Sequence, residues 1–247
     1  MLDWLLSPID PTRAHEIGFL VSWHGRLMVT GWGVLLPAGV FIARFLKVWP
    51  KQNWPEQLHN RNWWRSHLAL QWTGALVALI GFGLILSFNN GLSNQDNWHR
   101  WFGLSALALL LIQVLGGVFR GTKGGPTDPA ADGTIWGDHY NMSRRRVVFE
   151  YCHKSLGYVA LLCAAAAIVT GLWDVNAQRW IVVLITLWWL TLASFAIVFQ
   201  RSKRVVDTYQ AIWGLDDKHP GNALKPIGIG IHKLDPQRLA PQRKEKH

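Results

Sequence analysis

An all-α integral membrane protein is predicted, a helical bundle of four core helices with a fifth transmembrane helix, and three observations predict it. Half of the 247 residues are hydrophobic and only 16% are charged, a balance too apolar for an ordinary soluble domain. Five long apolar runs divide the chain, each with about 18 or more largely apolar residues, enough to cross a hydrocarbon core of about 30 Å. Sixteen tryptophans gather at the ends of those runs, among them Trp23, Trp49, Trp63, Trp64, Trp98, Trp101, Trp173 and Trp180, where amphipathic indoles favour the headgroup boundary.

The elements follow in chain order. Residues 1–21 form an N-terminal segment in which Asp10 and Pro11 offer a cap and a first-turn proline. The first span, 22–47, is longer than a signal-peptide core and is read as mature structure. The second is 66–88. The third, 98–119, follows Ser93 and Asp96, which make a capping box. The stretch GTKGGPTDPAADGTIWGDHYN, within the loop 120–146, is rich in Gly, Pro and Asp and reads as irregular, partly ordered by Trp136 and Tyr140. Ser143 precedes the fourth span, 147–173, which completes a core domain of 22–173. The fifth span is 178–200. A basic tail, 201–247, opens with a short helix at VVDTYQAIW and ends in polar sequence whose last ten residues read as mobile.

A net charge of +10 would suggest nucleic acid in a soluble protein, but here its distribution sets topology. With the amino terminus on one side, the loops 89–97 and 174–177 share that side, and it carries Arg13, Arg26, Arg100 and Arg179. The other twenty-one Lys and Arg, including RRR at 144–146 and RSKR at 201–204, lie on the opposite side with the loops 48–65 and 120–146 and the tail. The positive-inside rule places that side in the cytoplasm and the amino terminus outside. No nucleic-acid partner is expected. Cys152 and Cys163, eleven residues apart on one helix, suggest no disulfide and no thiolate metal site.

Four histidines enter the apolar runs: His24, His67, His99 and His153. An ionisable side chain inside a span costs a few kcal/mol on insertion scales and usually marks a functional site or a partner. Each lies near the entry end of its span, and successive spans alternate in direction. His24 and His99 therefore fall near the outer face, His67 and His153 near the inner. Facing neutral imidazoles across a bundle are what six-coordinate haem iron accepts, so the economical reading is two haems b stacked across the bilayer, with no C-x-x-C-H for covalent attachment. HRWFG and HKSLG share an H-x-x-x-G pattern. Gly25, Gly31, Gly33, Gly74, Gly103 and Gly157 would let a flat macrocycle approach backbone, although small residues also serve plain helix packing. Zinc competes as the bound metal, but neither pair has an Asp or Glu at helical spacing to complete a site; Glu150 lies near the interface. Arg26 and Arg100 on the outer side, and Arg44, Arg65 and Lys154 on the inner, suit haem propionates, with snorkelling to headgroups as the alternative. His15, His59, His139, His219, His232 and His247 read as solvated.

The run HGRLMVTGWGVLLPAGVFIARF, with SHLALQ, HRWFG and RRRVVFEYCHKSLGY, resembles the cytochrome b561 family over roughly residues 20–173, especially bacterial members related to the membrane half of DOMON-linked proteins. The resemblance implies a four-helix dihaem core in which His24 pairs with His99 and His67 with His153. It implies electron transfer across the membrane, in many eukaryotic members from ascorbate to ferric iron or monodehydroascorbate. By the same resemblance, Arg65 is the position matched to the basic residue that eukaryotic members use for ascorbate. Five spans are predicted here rather than six, without a DOMON domain. For a bacterial inner-membrane protein the expected redox partners are quinol, a periplasmic redox protein or a small oxidant, and a homodimer fits the family. Two other classes stay open: a haem-bearing membrane anchor of a larger dehydrogenase, and a small transporter or scaffold whose histidines relay protons or bind metal.

Overall fold

The computed structural model describes residues 1–58, 60–87, 97–125 and 136–234. The apolar runs become five helices long and apolar enough to cross a membrane: Phe19–Phe45, Asn62–Leu86, Trp98–Val118, Arg144–Asp174 and Arg179–Arg201. The protein is a multi-pass, all-helical membrane protein, and the described residues contain no strand, only two isolated bridges. Large apolar side chains remain exposed along the spans, as on Leu184, Leu187, Leu190 and Ile197 of the last one; with lipid as the solvent that exposure carries no penalty.

A short α1 (Leu2–Leu6) precedes the spans. The first span is α2 (Phe19–Met28), a π-helical stretch over Val29–Leu35, and α3 (Leu36–Phe45). Asp10 does not cap it; its carboxylate closes a local turn by accepting from the N–H and hydroxyl of Thr12. The π stretch has an identifiable cause. Pro37 has no N–H to give to the Gly33 carbonyl four residues back. Two indoles supply the missing donors: Trp188 and Trp189 each donate to Gly33 O at 3.0 Å. α4 is Asn62–Leu86, α5 Trp98–Val118, α6 Arg144–Asp174 and α7 Arg179–Arg201. α6 starts three residues earlier than the apolar run because Ser143 caps it, its hydroxyl accepting from Arg146 N at 3.4 Å while donating to Asp138 at 2.6 Å. Ser93, Asp96, His59, His247 and the last ten residues lie outside the described residues.

The chain divides into two compact units, one of Met1–Phe41, Ser66–Leu111 and Tyr158–Ala196, the other of Ile42–Arg65, Ile112–Gly157 and Ile197–His247. In the first, Gly31 abuts the backbone of Gly74 and Ala78, so small residues bring α4 close to the π stretch. The N-terminal segment is pinned through Asn176, 1% exposed, whose amide donates to Asp10 O and Arg13 O and accepts from Asp10 N.

In the second unit, residues after Arg204 fold against the 136–143 turn. α8 (Thr208–Trp213) is capped by the Asp207 carboxylate, which accepts from Tyr209 N and Gln210 N. Tyr140, Tyr209 and Trp213 form a buried cluster, with Tyr209 Oη donating to Tyr140 O at 2.6 Å. Cationic side chains bind backbone carbonyls here: Lys47 to Val206 O, Arg44 to Ile229 O, Lys154 to Ile227 O and Arg204 to Val48 O. Lys47 and Arg204, read as topology signals, and Arg44 and Lys154, read as propionate candidates, thus also dock the tail. Two tryptophan expectations fail. Trp136 is exposed, because Trp213 supplies the indole packed on Tyr140, and Trp63 is buried, its ring edge-on to Trp64 rather than at a lipid boundary.

Candidate functional site

His24 on α2 and His99 on α5 face each other, ring centroids 6.1 Å apart and planes at 89°. Two imidazoles bonded to one metal through Nε2 at about 2 Å each have centroids about 6 Å apart, so the pair is spaced to share a single centre. The outward nitrogens are fixed as well. His24 Nδ1 lies 2.9 Å from Gly81 O, His99 Nδ1 2.8 Å from Ala167 O and His67 Nδ1 3.0 Å from Gly39 O. A carbonyl oxygen only accepts, so each Nδ1 carries the proton and each Nε2 keeps its lone pair, the tautomer a metal-ligating histidine needs.

Packing makes these bonds reachable. A Cβ on Gly171 would lie 2.7 Å from Cε1 and Nδ1 of His99, so only glycine lets that ring lie over α6 near Ala167. Gly39 sits against the side chain of Gln71, whose amide donates to Leu36 O at 3.0 Å. Of the glycines singled out from sequence, Gly25 and Gly103 face open space within 4 Å, leaving room beside His24 and one turn after His99. Gly31 and Gly74 serve helix–helix contact, Gly33 meets Ile185 and Ile168, and Gly157 lies near Gln113. A cavity of about 550 Å³ adjoins His99, lined among others by Asn97, Ile168, Thr170, Ile185 and Trp189. Its size is within the range of small-molecule and cofactor sites.

His67 and His153 belong to different units. His153 stacks on Phe149, centroids 5.0 Å apart, and its Nδ1 meets the Gln113 amide at 2.6 Å. Sequence reading passed over Gln113, Gly171 and the three carbonyls. Only Gln113 left a signal, as a polar side chain in the apolar run LALLLIQVLGG.

The basic residues separate by role. Arg26 lies over the Trp23 ring at 5.2 Å, and Arg65 is exposed. The Arg100 main-chain N–H donates to Asn97 Oδ1 at 2.9 Å. Lys154 Nζ donates to Glu150 at 2.7 Å and to Ile227 O at 2.8 Å, while Arg146 reaches the same carboxylate at 3.1 Å. Arg44 also donates to Gln200.

His139 is not solvated. It is 3% exposed, its ring between Tyr209 and Trp213, and its Nε2 stands 3.8 Å from Glu150 without a hydrogen bond. Burial, and then the neighbouring Arg146, push its pKa down to about 3, so it is neutral. Burial likewise takes Lys47 down to about 7. His15 and His219 are also tied in, His15 to Asn176 O at 2.7 Å and His219 to the Tyr140 hydroxyl at 3.3 Å, whereas His232 is exposed. Among the described residues no three His, Cys, Asp or Glu side chains gather as a metal site.

Comparison with known proteins finds similarity over the first three spans. The family model described as eukaryotic cytochrome b561 matches residues 23–126, which hold His24, His67 and His99. A cytochrome b561, DM13 and DOMON domain-containing protein of Arabidopsis thaliana is 29% identical over 149 residues, 60% of this chain and 14% of its own length. Human ferric-chelate reductase 1 is 28% identical over 167 residues, 67% of this chain and 24% of its own length. A cytochrome b561 and DOMON domain-containing protein of Arabidopsis thaliana is 34% identical over 99 residues, 39% of this chain and 22% of its own length. The chain thus spans at most about a quarter of these relatives, all of them eukaryotic. No solved structure matches. The matched stretch holds the facing His24 and His99, and there the chain is similar to the cytochrome b561 family.

Proposed function

We propose that the protein is a transmembrane electron-transfer cytochrome carrying two non-covalent haems b in a four-helix core of residues 22–173, with His24 and His99 holding one haem and His67 and His153 the other. The observation that carries this reading is the His24–His99 pair, spaced for one centre and with Nδ1 of each ring committed to a carbonyl. The second pair rests on the order of the spans. When bound, each haem would supply a one-electron couple, and holding it by two histidines, His24 with His99 and His67 with His153, would favour electron transfer over oxygen binding.

The chain's own residues do the rest. The carbonyls of Gly81, Gly39 and Ala167 hold three rings in the ligating tautomer, Gly171 admits the His99 ring, and apolar spans keep water away. Arg26, Arg100, Arg65 and Lys154 are the proposed propionate partners; of these, Lys154 also holds Glu150 and the tail. Charge distribution supports an amino terminus outside and a cytoplasmic carboxyl terminus; the membrane proposed is a bacterial inner membrane. Single electrons would pass between quinol, a periplasmic redox protein or a small oxidant on the two faces. The relatives' names combine cytochrome b561 with other domains, so service as the haem-bearing membrane anchor of a larger dehydrogenase is the alternative.

The test is the dithionite-reduced minus oxidised spectrum of protein purified in mild detergent, with haem measured per chain. A sharp b-type band at two haems per chain is expected. Folded protein without haem would overturn the reading. Copurification of a redox subunit, with no turnover by the isolated chain, would favour the anchor role.

A further inference from the structure

We propose that Gln113 is the positioning residue for His153, its side-chain amide setting which imidazole nitrogen is offered to iron. This deepens the dihaem reading and rests on it.

Gln113 lies on α5 inside an apolar span, where an amide is expensive unless its groups are bonded. One end of that amide is 2.6 Å from His153 Nδ1 and 3.1 Å from the His153 carbonyl oxygen; the other end is 3.0 Å from Gly157 N. A single orientation makes all three contacts hydrogen bonds. In it the amide nitrogen donates to Nδ1 and to the carbonyl, and the amide oxygen accepts from the Gly157 N–H.

That arrangement reverses the state of the other three histidines. Their Nδ1 atoms face carbonyl oxygens and must hold the proton. At His153 the amide NH₂ only donates, so Nδ1 accepts and the proton sits on Nε2. A metal takes the nitrogen that has no proton. Ligation through Nε2 therefore requires the proton to move to Nδ1 and the amide to turn its oxygen inward. The imidazole stays neutral and no proton is released. The turn gives up the bonds to the His153 carbonyl and to Gly157, and in exchange the oxygen accepts from Nδ1–H. A primary amide can present either face by a half-turn; a main-chain carbonyl cannot. The electron density that His153 passes to iron is therefore set by a replaceable side chain, where His24, His67 and His99 are set by backbone.

Two variants of the full-length, haem-loaded protein test this: Gln113→Glu and Gln113→Leu, with Gln113→Met in place of Leu where that variant does not accumulate. Each is titrated potentiometrically in detergent at mildly alkaline pH, which keeps the new carboxyl ionised, and haem per chain is measured alongside. A carboxylate accepting from Nδ1–H strengthens the ligand, so Gln113→Glu should lower the potential of one haem and slow its loss about tenfold. An apolar side chain removes the acceptor, so Gln113→Leu should raise the potential of that same haem. The other haem should keep its wild-type potential in both. Altered packing alone would move both variants in one direction. Shifts of the same sign, shifts in both haems, or no shift in either variant would overturn the role of Gln113. A wild-type protein that binds no haem would instead overturn the dihaem reading, before either variant is made.

Discussion

Three imidazoles direct Nδ1 at main-chain oxygens, and a main-chain partner cannot be deleted by substitution. The residue that can be changed is Gly171, whose missing Cβ makes way for the His99 ring. Gly171→Ala should push that ring off Ala167 O and weaken haem retention at the His24–His99 site about tenfold, the loss usual when a ligand's outer partner is removed. Haem per chain should fall toward half, with the remaining haem spectrally normal; full haem content in Gly171→Ala would contradict the placement of His99. The four histidines themselves were legible in the sequence, because an ionisable group in an apolar run is an anomaly that composition exposes. Gly171 was not, since glycine is common in membrane helices and its constraint arises only when a neighbouring helix brings a ring against it. His139 was misread for a related reason. It lies in a polar loop, and only the folded tail buries it.

At the scale of elements, the five spans were legible almost to their ends because lipid demands a fixed length of apolar helix. What periodicity could not show is how the first span is interrupted. Pro37 withdraws a donor, and the repair comes from α7 in the form of two indole N–H groups on one carbonyl. Because the indoles share the acceptor, their loss should be non-additive. Trp188→Phe or Trp189→Phe alone should cost under about 1 kcal/mol, since the other indole still serves Gly33 O. The double variant strands that carbonyl in the apolar interior and should cost about 1–3 kcal/mol beyond the sum. Denaturation of the four proteins in a common detergent gives the coupling directly, and simple additivity would mean that the π stretch does not depend on the pair. α8 offers an independent check. Its carboxylate cap is in place, so Asp207→Ala should destabilise that short helix by about 1 kcal/mol, read as faster proteolysis after Arg204.

At the scale of the whole molecule, the segment least legible in sequence is the ordered tail. Its sequence suggested a short helix followed by polar sequence with no role in packing assigned to it, but as far as Leu234 it supplies buried aromatic rings and carbonyl acceptors for Arg44, Lys47 and Lys154. Joining three distant stretches of chain buries titratable groups outside the spans, and two of them, His139 and Lys47, make stability depend on pH with the same sign. His139 has its pKa lowered to about 3 from 6.5, so between those values the unfolded chain binds more protons and stability falls as pH is lowered. Lys47 is lowered to about 7 from 10.5, so between those values stability again rises with pH. Each contributes a slope on the order of 1 kcal/mol per pH unit within its window. Stability measured against pH should therefore climb through both windows. His139→Leu should flatten the acid limb between about pH 3 and 6.5 while leaving the alkaline one, and Lys47→Met should do the reverse. If neither substitution changes the limb assigned to it, the two groups are not buried in the protein as it folds in a membrane mimic, and the docked tail goes with them.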